Sequence, residues 1–308
     1  MGKVDQVTRA ETDSLVEVLD LDRIETNIFR GWSWHTAPTR VFGGHVAAQA
    51  LIAAGRTVAP DRPVHSLHAY FLLPGDPAAP IIYDVDLIRD GRSFTTRRVV
   101  AIQHGRAIFN LSASFQRATD GLEHQSPMPP SPPPDGPSGE LGELGEFAKI
   151  LSDDENLSDD ESVEPFFSRY LDVRLVATEG PDGSIQQPVW SSHGEPHSPH
   201  QRMWFRARGT LPADPLYHVC AVAYASDLRL ITTTLLPHRS TNGRTISLAS
   251  LDHAMWFHRP FRADDWLLYI QESPSASGSR GFARGEIYTA DGKLVVSVAQ
   301  EGLMRVDS

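Results

Sequence analysis

The sequence predicts an α+β fold built from two similar units, each a helix wrapped by antiparallel sheet. Three observations carry this. Residues 64–117 and 248–302 follow one plan: a Ser-Leu pair with an aromatic run, a proline turn, a strand-like segment, a turn of Gly, Ser and Arg, a second strand, a Gly turn and a last strand. Matching marks keep a nearly constant distance: Ser66 to Ser250 is 184, Pro74 to Pro260 186, Phe94 to Phe282 188 and Gly105 to Gly292 187. Such repetition is the pattern of two copies that pack together. The second observation is an Ala-rich stretch, VFGGHVAAQALIAAGRTV (41–58), set before strand-like runs. The third is the length of 308 residues, which suits two domains at about 100–200 residues each.

The elements follow in order. A short helix opens the chain, capped by Thr12 or Ser14 and given an apolar side by Leu15, Val16 and Leu19. Residues 41–58 form the first central helix. Alanine favours helix, and Val46, Ala50, Ala53 and Ala54 recur near its period with side chains small enough for close approach to a sheet. Gly43 and Gly44 stand at its entrance, where backbone amides face outward and meet anions. His65–Leu72, Ile81–Ile88, Ser93–Gln103 and Arg106–Gln116 read as strands punctuated by Gly75-Asp76, Asp90-Gly91 and His104-Gly105. Short turns between them make the sheet antiparallel. The unit closes near residue 125. Residues 126–164 read as linker: a proline-rich run (126–139) that must be extended, then an acidic, solvated piece (152–164). Residues 165–308 form the second unit, with strands around Leu171–Val176 and Met203–Leu211 and a central helix within 218–236. Thr245–His258 and the repeated strands follow.

Composition excludes several classes. The net charge of −11 argues against bulk nucleic-acid binding. The single cysteine, Cys220, permits no internal disulfide, and among its apolar neighbours it reads as an inert thiol. The polar first residues do not make a signal peptide, no apolar run reaches the length of a bilayer span, and the ending MRVDS is not a peroxisomal address. A cytoplasmic protein without stable membrane insertion is expected. GxSxG, GxxxxGK[ST] and GxGxxG are absent, which argues against a serine-hydrolase elbow, a phosphate loop and a dinucleotide site.

Four constellations remain. His193, His197 and His200 hold enough nitrogen for zinc, but their Pro, Gly and Ser surroundings favour a polar loop. Arg89, Arg92, Arg97, Arg98, Arg280 and Arg284 lie around equivalent turns of the two units. Their forks suit phosphate, and charges that guard strand edges explain them equally. Asp227 falls near the expected start of the second helix, where it reads either as an N-cap or as a carboxylate oriented to activate water. Ser250 and Gln300, on strands expected to face that helix, are the neutral groups that would hold such a water.

FRGWSWHTAPTRVFGGHVAAQALIAAGRTV, SLHAYFLLPGDPAAPIIYDV, RDGRSFTTRRVVAIQHGRAIF, ASFQ, YASDL, LDHAMWFHRPF and ARGEIYTADGKLVVSVAQEGLMR resemble the acyl-CoA thioesterase II (TesB-type) family over nearly the whole chain except the acidic linker. The resemblance implies a double hotdog fold, in which the two units share one continuous curved sheet. It implies hydrolysis of acyl-CoA to free acid and coenzyme A by an activated water, with no metal, cofactor or covalent intermediate. It carries the catalytic set onto Asp227 in YASDL, Ser250 in ASLDH and Gln300 in VAQEG. At position 250 the bacterial pattern has Thr; Ser keeps the hydroxyl and loses the β-branched stiffness. Gly43, Gly44 and His45 stand where the first unit's acid would be, which implies either a structural copy or one that helps bind substrate. Backbone amides or arginines, Arg97 and Arg284 among them, are expected on the coenzyme A phosphates. A homo-oligomer, dimer or tetramer, is expected of such units. Two rivals keep the fold: a non-catalytic acyl-CoA-binding protein, and an enoyl-CoA hydratase using Asp252-His253.

Overall fold

The computed structural model describes residues 14–33, 40–134, 168–176, 178–179, 185–186, 196–238 and 246–306. The chain opens with α1 (Leu15–Val18), capped by Ser14, whose Oγ accepts from the Val16 amide at 3.2 Å. Thr12 lies outside the described residues. A hairpin that periodicity did not reveal follows, β1 (Asp22–Glu25) and β2 (Ile28–Gly31). Then come α2 (Gly43–Gly55), β3 (Val64–Phe71), β4 (Ile81–Asp90), β5 (Phe94–Gln103) and β6 (Arg106–Gln116), the strands within two residues of expectation and the helix ending three residues early. The second unit supplies β7 (Leu171–Val176), a small separate ladder of β8 (Thr178–Glu179) with β9 (Ile185–Gln186), and β10 (His200–Ala207). Helix α3 (Pro215–Ser226) is followed by a 3₁₀ segment, Ile231–His238, and β11 (Ile246–Ser250). The last strands are β12 (Asp252–Phe257), β13 (Leu267–Ser277), β14 (Arg280–Thr289) and β15 (Leu294–Val306).

One antiparallel sheet joins both units, in the order β1-β2-β4-β5-β6-β3-β12-β15-β14-β13-β10-β7, with β11 added on β15. The units meet where β3 pairs β12, from Tyr70 opposite Asp252 to Ser66 opposite Trp256. The two central helices lie against one core that runs through both units. Both are rich in small buried residues that permit close packing, Ala47, Ala50 and Ala54 on α2 and Ala221 and Ala225 on α3. Near one end a Cβ on Gly44 would overlap the Tyr224 carbonyl oxygen; near the other, a Cβ on Gly55 would meet Leu216 Cδ1 at 2.5 Å. The start of α2 therefore lies beside the end of α3, and the helices are antiparallel.

Two expectations need correction. The apolar stretch Pro215–His238, long enough to cross a membrane, is mostly buried inside the protein, and it is not one helix. It breaks after Ser226, where Arg229 takes the left-handed φ of 65° and the β-branched run Thr232–Thr234 disfavours regular helix. Asp227 is consequently the C-cap of α3. The N-cap is Asp214, which accepts from the Leu216 amide at 2.9 Å ahead of Pro215.

The second correction concerns the repeat. In β3 and β11 the register slips at equivalent points, after Val64 opposite Phe115 and after Ser250 opposite Gly302. Val64, not Ser66, is thus the counterpart of Ser250 (250 − 64 = 186; 302 − 115 = 187).

Part of the linker has a definite position. Residues 124–134 run along the outer face of the second unit's sheet. Trp204 Nε1 donates to Pro132 O at 2.8 Å, Arg202 Nη1 to Pro130 O at 2.9 Å and Gln125 Nε2 to Gly292 O at 2.8 Å. Met128 packs on Trp204, Leu268, Tyr288 and Leu294. Proline has no amide hydrogen to donate, so the contacts use its carbonyls. The acidic piece, 152–164, lies outside the described residues.

Candidate active site

Asp227, Ser250 and Gln300 come together at the junction of the units. Gln300 Nε2 donates to Asp227 Oδ1 at 2.7 Å and to Ser250 Oγ at 2.9 Å. Ser250 Oγ donates to Asp227 Oδ1 at 3.5 Å. Strand parity aims Gln300 inward from β15 and leaves it wholly buried. Ser250 ends β11, just before the register slip that turns the chain into β12.

The second carboxylate oxygen faces the other unit. Helix α2 begins at Phe42, which has no side-chain cap, so its first amides need an acceptor. The Gly44 amide donates to Asp227 Oδ2 at 3.0 Å. The anion expected at the Gly43-Gly44 entrance is thus the catalytic carboxylate candidate itself, and the positive end of α2 steadies it. Gly43 is glycine because a Cβ there would sit 2.6 Å from Asp227 Oδ2 and 2.8 Å from the Phe71 ring. Burial pushes the Asp227 pKa up to about 6; the bonds from Gln300, Gly44 and Ser250 and the charge of Arg40 pull it back. Near neutrality the carboxylate is largely ionised, a setting suited to accepting a proton.

A cavity of about 280 Å³ opens onto this group. The first unit gives it an apolar wall with Phe42, Phe71, Ile108 and Phe109; the second contributes Asp227, Thr232, Leu248 and Ser250. Two arginines line it, Arg40 from the first unit and Arg229 from the second. Sequence reasoning passed over both, although Arg40 directly precedes VFGG and Arg229 lies two residues past Asp227.

The other expected binding residues lie elsewhere. His45 is buried with its Nε2 2.9 Å from Trp32 O, a carbonyl that only accepts, so this nitrogen carries the proton. Burial lowers its pKa to about 4, and it is a neutral support of α2. Arg97 is 2% exposed, its fork bound to Thr57 Oγ1 (2.9 Å), Thr57 O (3.1 Å) and Asp90 Oδ1 (2.8 Å). A guanidinium so enclosed does not reach a phosphate. Arg284 is exposed on the outer face of β14, paired with Glu272.

Arg97 also shows what became of the corresponding site in the first unit. It lies opposite Ala113 as Ala283 lies opposite Gln300. The C-cap of α2 is Arg56, where α3 has Asp227. The first unit therefore has Arg56, Val64 and Ala113 in place of acid, hydroxyl and amide, with Arg97 filling the space.

Other candidates serve structure. Cys220 is buried, and burial raises its thiol pKa well above the ordinary value. His200 contacts Ser198 and Glu272, and His193 lies outside the described residues. Among the described residues no group of three or more His, Cys, Asp or Glu side chains is arranged to hold a metal. Asp252 Oδ1 accepts from the Glu301 amide at 2.7 Å, and His253 Nε2 meets Ser226 Oγ at 2.8 Å inside the core, so this pair does not form an acid-base site.

Comparison with known proteins agrees across the chain. Residues 31–116 match the acyl-CoA thioesterase N-terminal domain family and residues 184–303 the acyl-CoA thioesterase family. Acyl-coenzyme A thioesterase 8 of Mus musculus is 41% identical over 299 residues, 95% of this chain and 89% of that protein. An acyl-CoA thioesterase II, TesB2, from Mycobacterium marinum superposes with a TM-score of 0.74 at 43% identity, covering 95% of this chain and 98% of the other. A hot dog fold protein from Alicyclobacillus acidocaldarius, 18% identical, shares the fold with a TM-score of 0.71 over 95% and 98% of the two chains.

Proposed function

The chain belongs to the acyl-CoA thioesterase family, has its double hotdog fold and hydrolyses acyl-CoA thioesters, and we propose that it does so with a water activated by Asp227 and held by Ser250 and Gln300. The observation that carries this is that Asp227 and Ser250 line the cavity while Gln300 donates to both from behind, with Gly44 fixing the carboxylate from the other unit. Asp227 takes a proton as the water oxygen attacks the thioester carbonyl. The Gly43 amide, at the start of α2 in the cavity wall, steadies the oxyanion. When the tetrahedral intermediate collapses, the C–S bond breaks and the thiolate leaves, taking the proton from Asp227 or solvent. A thiolate is a good enough leaving group to need no strong acid.

The acyl chain lies along Phe42, Phe71 and Phe109. Arg40, partly exposed at the cavity, replaces Arg97 and Arg284 as the residue for the coenzyme A phosphates. We also read the protein as a cytoplasmic homo-oligomer; exposed Tyr70 and Trp256, on the outer face where the units join with His68 against the Trp256 ring, support association through that face. Cell fractionation and light scattering test these two points.

The test of the mechanism is thiol release by purified protein over a panel of acyl-CoA chain lengths. Asp227→Asn is expected to lower kcat on the order of 1000-fold and Gln300→Ala on the order of 100-fold, as proton-transfer and polar-stabilisation losses do. An Asp227→Asn protein as fast as the parent overturns the assignment.

A further inference from the structure

Asp227 is also held from behind. A helix C-terminus leaves its last carbonyls without intrahelical partners. A glycine in left-handed conformation one residue past the cap commonly closes such an end. Here that position is Leu228, and the left-handed residue is Arg229, one step later. Side chains of the sheet instead reach the last carbonyl of α3, Ser226 O, and two carbonyls of the turn just beyond it, Leu228 O and Arg229 O. Tyr269 Oη donates to Ser226 O at 2.9 Å, Gln271 Nε2 to Leu228 O at 3.0 Å and Gln201 Nε2 to Arg229 O at 2.9 Å. Gln201 grips Arg229 twice over, because its Oε1 accepts from Arg229 Nε at 3.1 Å and Nη2 at 2.8 Å. Gln201 on β10 is the register partner of Gln271 on β13, and Tyr269 is on the same face of β13 as Gln271. Tyr269 and Gln271 are fully buried.

We propose that Tyr269, Gln271 and Gln201 are positioning residues for Asp227, a row of sheet-borne donors in which Tyr269 caps the end of α3 in place of glycine and the two glutamines tie down the turn after it, fixing the carboxylate against Gln300, Ser250 and Gly44. None of them lines the cavity, so they act through the acid rather than on substrate. The arrangement has a physical reason. An acid at the negative end of its own helix is repelled by bare carbonyls, and donors bound to those carbonyls reduce that repulsion while tying the turn to two rigid strands. A pocket geometry lost by about an ångström costs on the order of 100-fold in rate.

The inference rests on Asp227 as the base, and the experiment separates the two ideas. Tyr269→Phe removes only the hydroxyl, and Gln271→Met keeps the bulk and loses the donor. Each is made in the full chain, alone and with Asp227→Asn. Expected is a 10- to 100-fold fall in kcat on the order set by misplacement, KM within about twofold, and the acidic limb of the kcat–pH profile moved to higher pH. The other groups that set that limb, Gln300, Gly44, Ser250 and Arg40, are untouched. In the Asp227→Asn background the same changes are expected to add no further loss. Wild-type kcat with an unmoved limb, or equal losses in both backgrounds, overturns the positioning role while leaving Asp227 in place. Full activity of Asp227→Asn alone overturns the base assignment itself.

Discussion

Asp227 keeps its charge in a setting that opposes it, inside the protein and at the wrong end of its own helix, relieved by Gly44, Gln300 and Ser250. Two consequences follow at this scale. With the pKa pushed up to about 6, kcat is expected to be flat near neutrality and to fall tenfold per unit below that value, which a stopped-time thiol assay across pH measures. The second consequence concerns stability. The folded pKa lies above the unfolded one, so folding favours the protonated form; the resulting penalty is absent below the unfolded pKa of about 4 and complete above about 6. Asp227→Asn is therefore expected to gain stability relative to the parent as pH rises from about 4 to 8, by up to about 3 kcal/mol, read as Tm differences at each pH. YASDL, ASLDH and VAQEG made these three residues legible in the chain. The position of Asp227 was not, because apolar residues continue past it to Leu236 and hide the break. Arg97 and Arg284 were misread for another reason: sequence shows alternation along a strand, but register decides which parity faces inward.

The crossing of α2 and α3 puts one unit's amide on the other unit's acid. Gly44 allows that approach, since any Cβ there meets the backbone of Tyr224. Gly44→Ala is expected to destabilise the protein by about 1–3 kcal/mol, the cost of overpacking. It should also lower kcat at temperatures where the protein remains folded, because α2 must shift away from Asp227. Thermal denaturation alongside the thiol assay checks both. At this scale the central helices and the repeated strands were readable from composition and period. The β1–β2 hairpin was too short to show a period. The proline run announced an extended chain but not the face it would cover, since that depends on Trp204, Arg202 and Met128 meeting in space.

Across the whole molecule the duplication has become unequal. Arg56, Val64 and Ala113 occupy the positions of Asp227, Ser250 and Gln300, and Arg97 with Asp90 fills the space. One productive site per chain is the expected result. Calorimetric titration of Asp227→Asn with an acyl-CoA is expected to give one molecule bound per chain; two equal sites would show that the first unit's pocket is still open. The asymmetry was half visible in the sequence. The absence of a second acid could be read there, but the filled pocket could not, because the serine that looked equivalent, Ser66, is displaced by two positions once register is known.

The hydrogen bond from Gly44 to Asp227 crosses the seam between the two units within a single chain. Had the units been separate polypeptides, each dilution would have dissociated some of them, and every dissociation would have removed the helix end that steadies the acid. Covalent linkage replaces that bimolecular encounter with a fixed, very high local concentration. This contact between the units thus does not depend on how much of the protein is present.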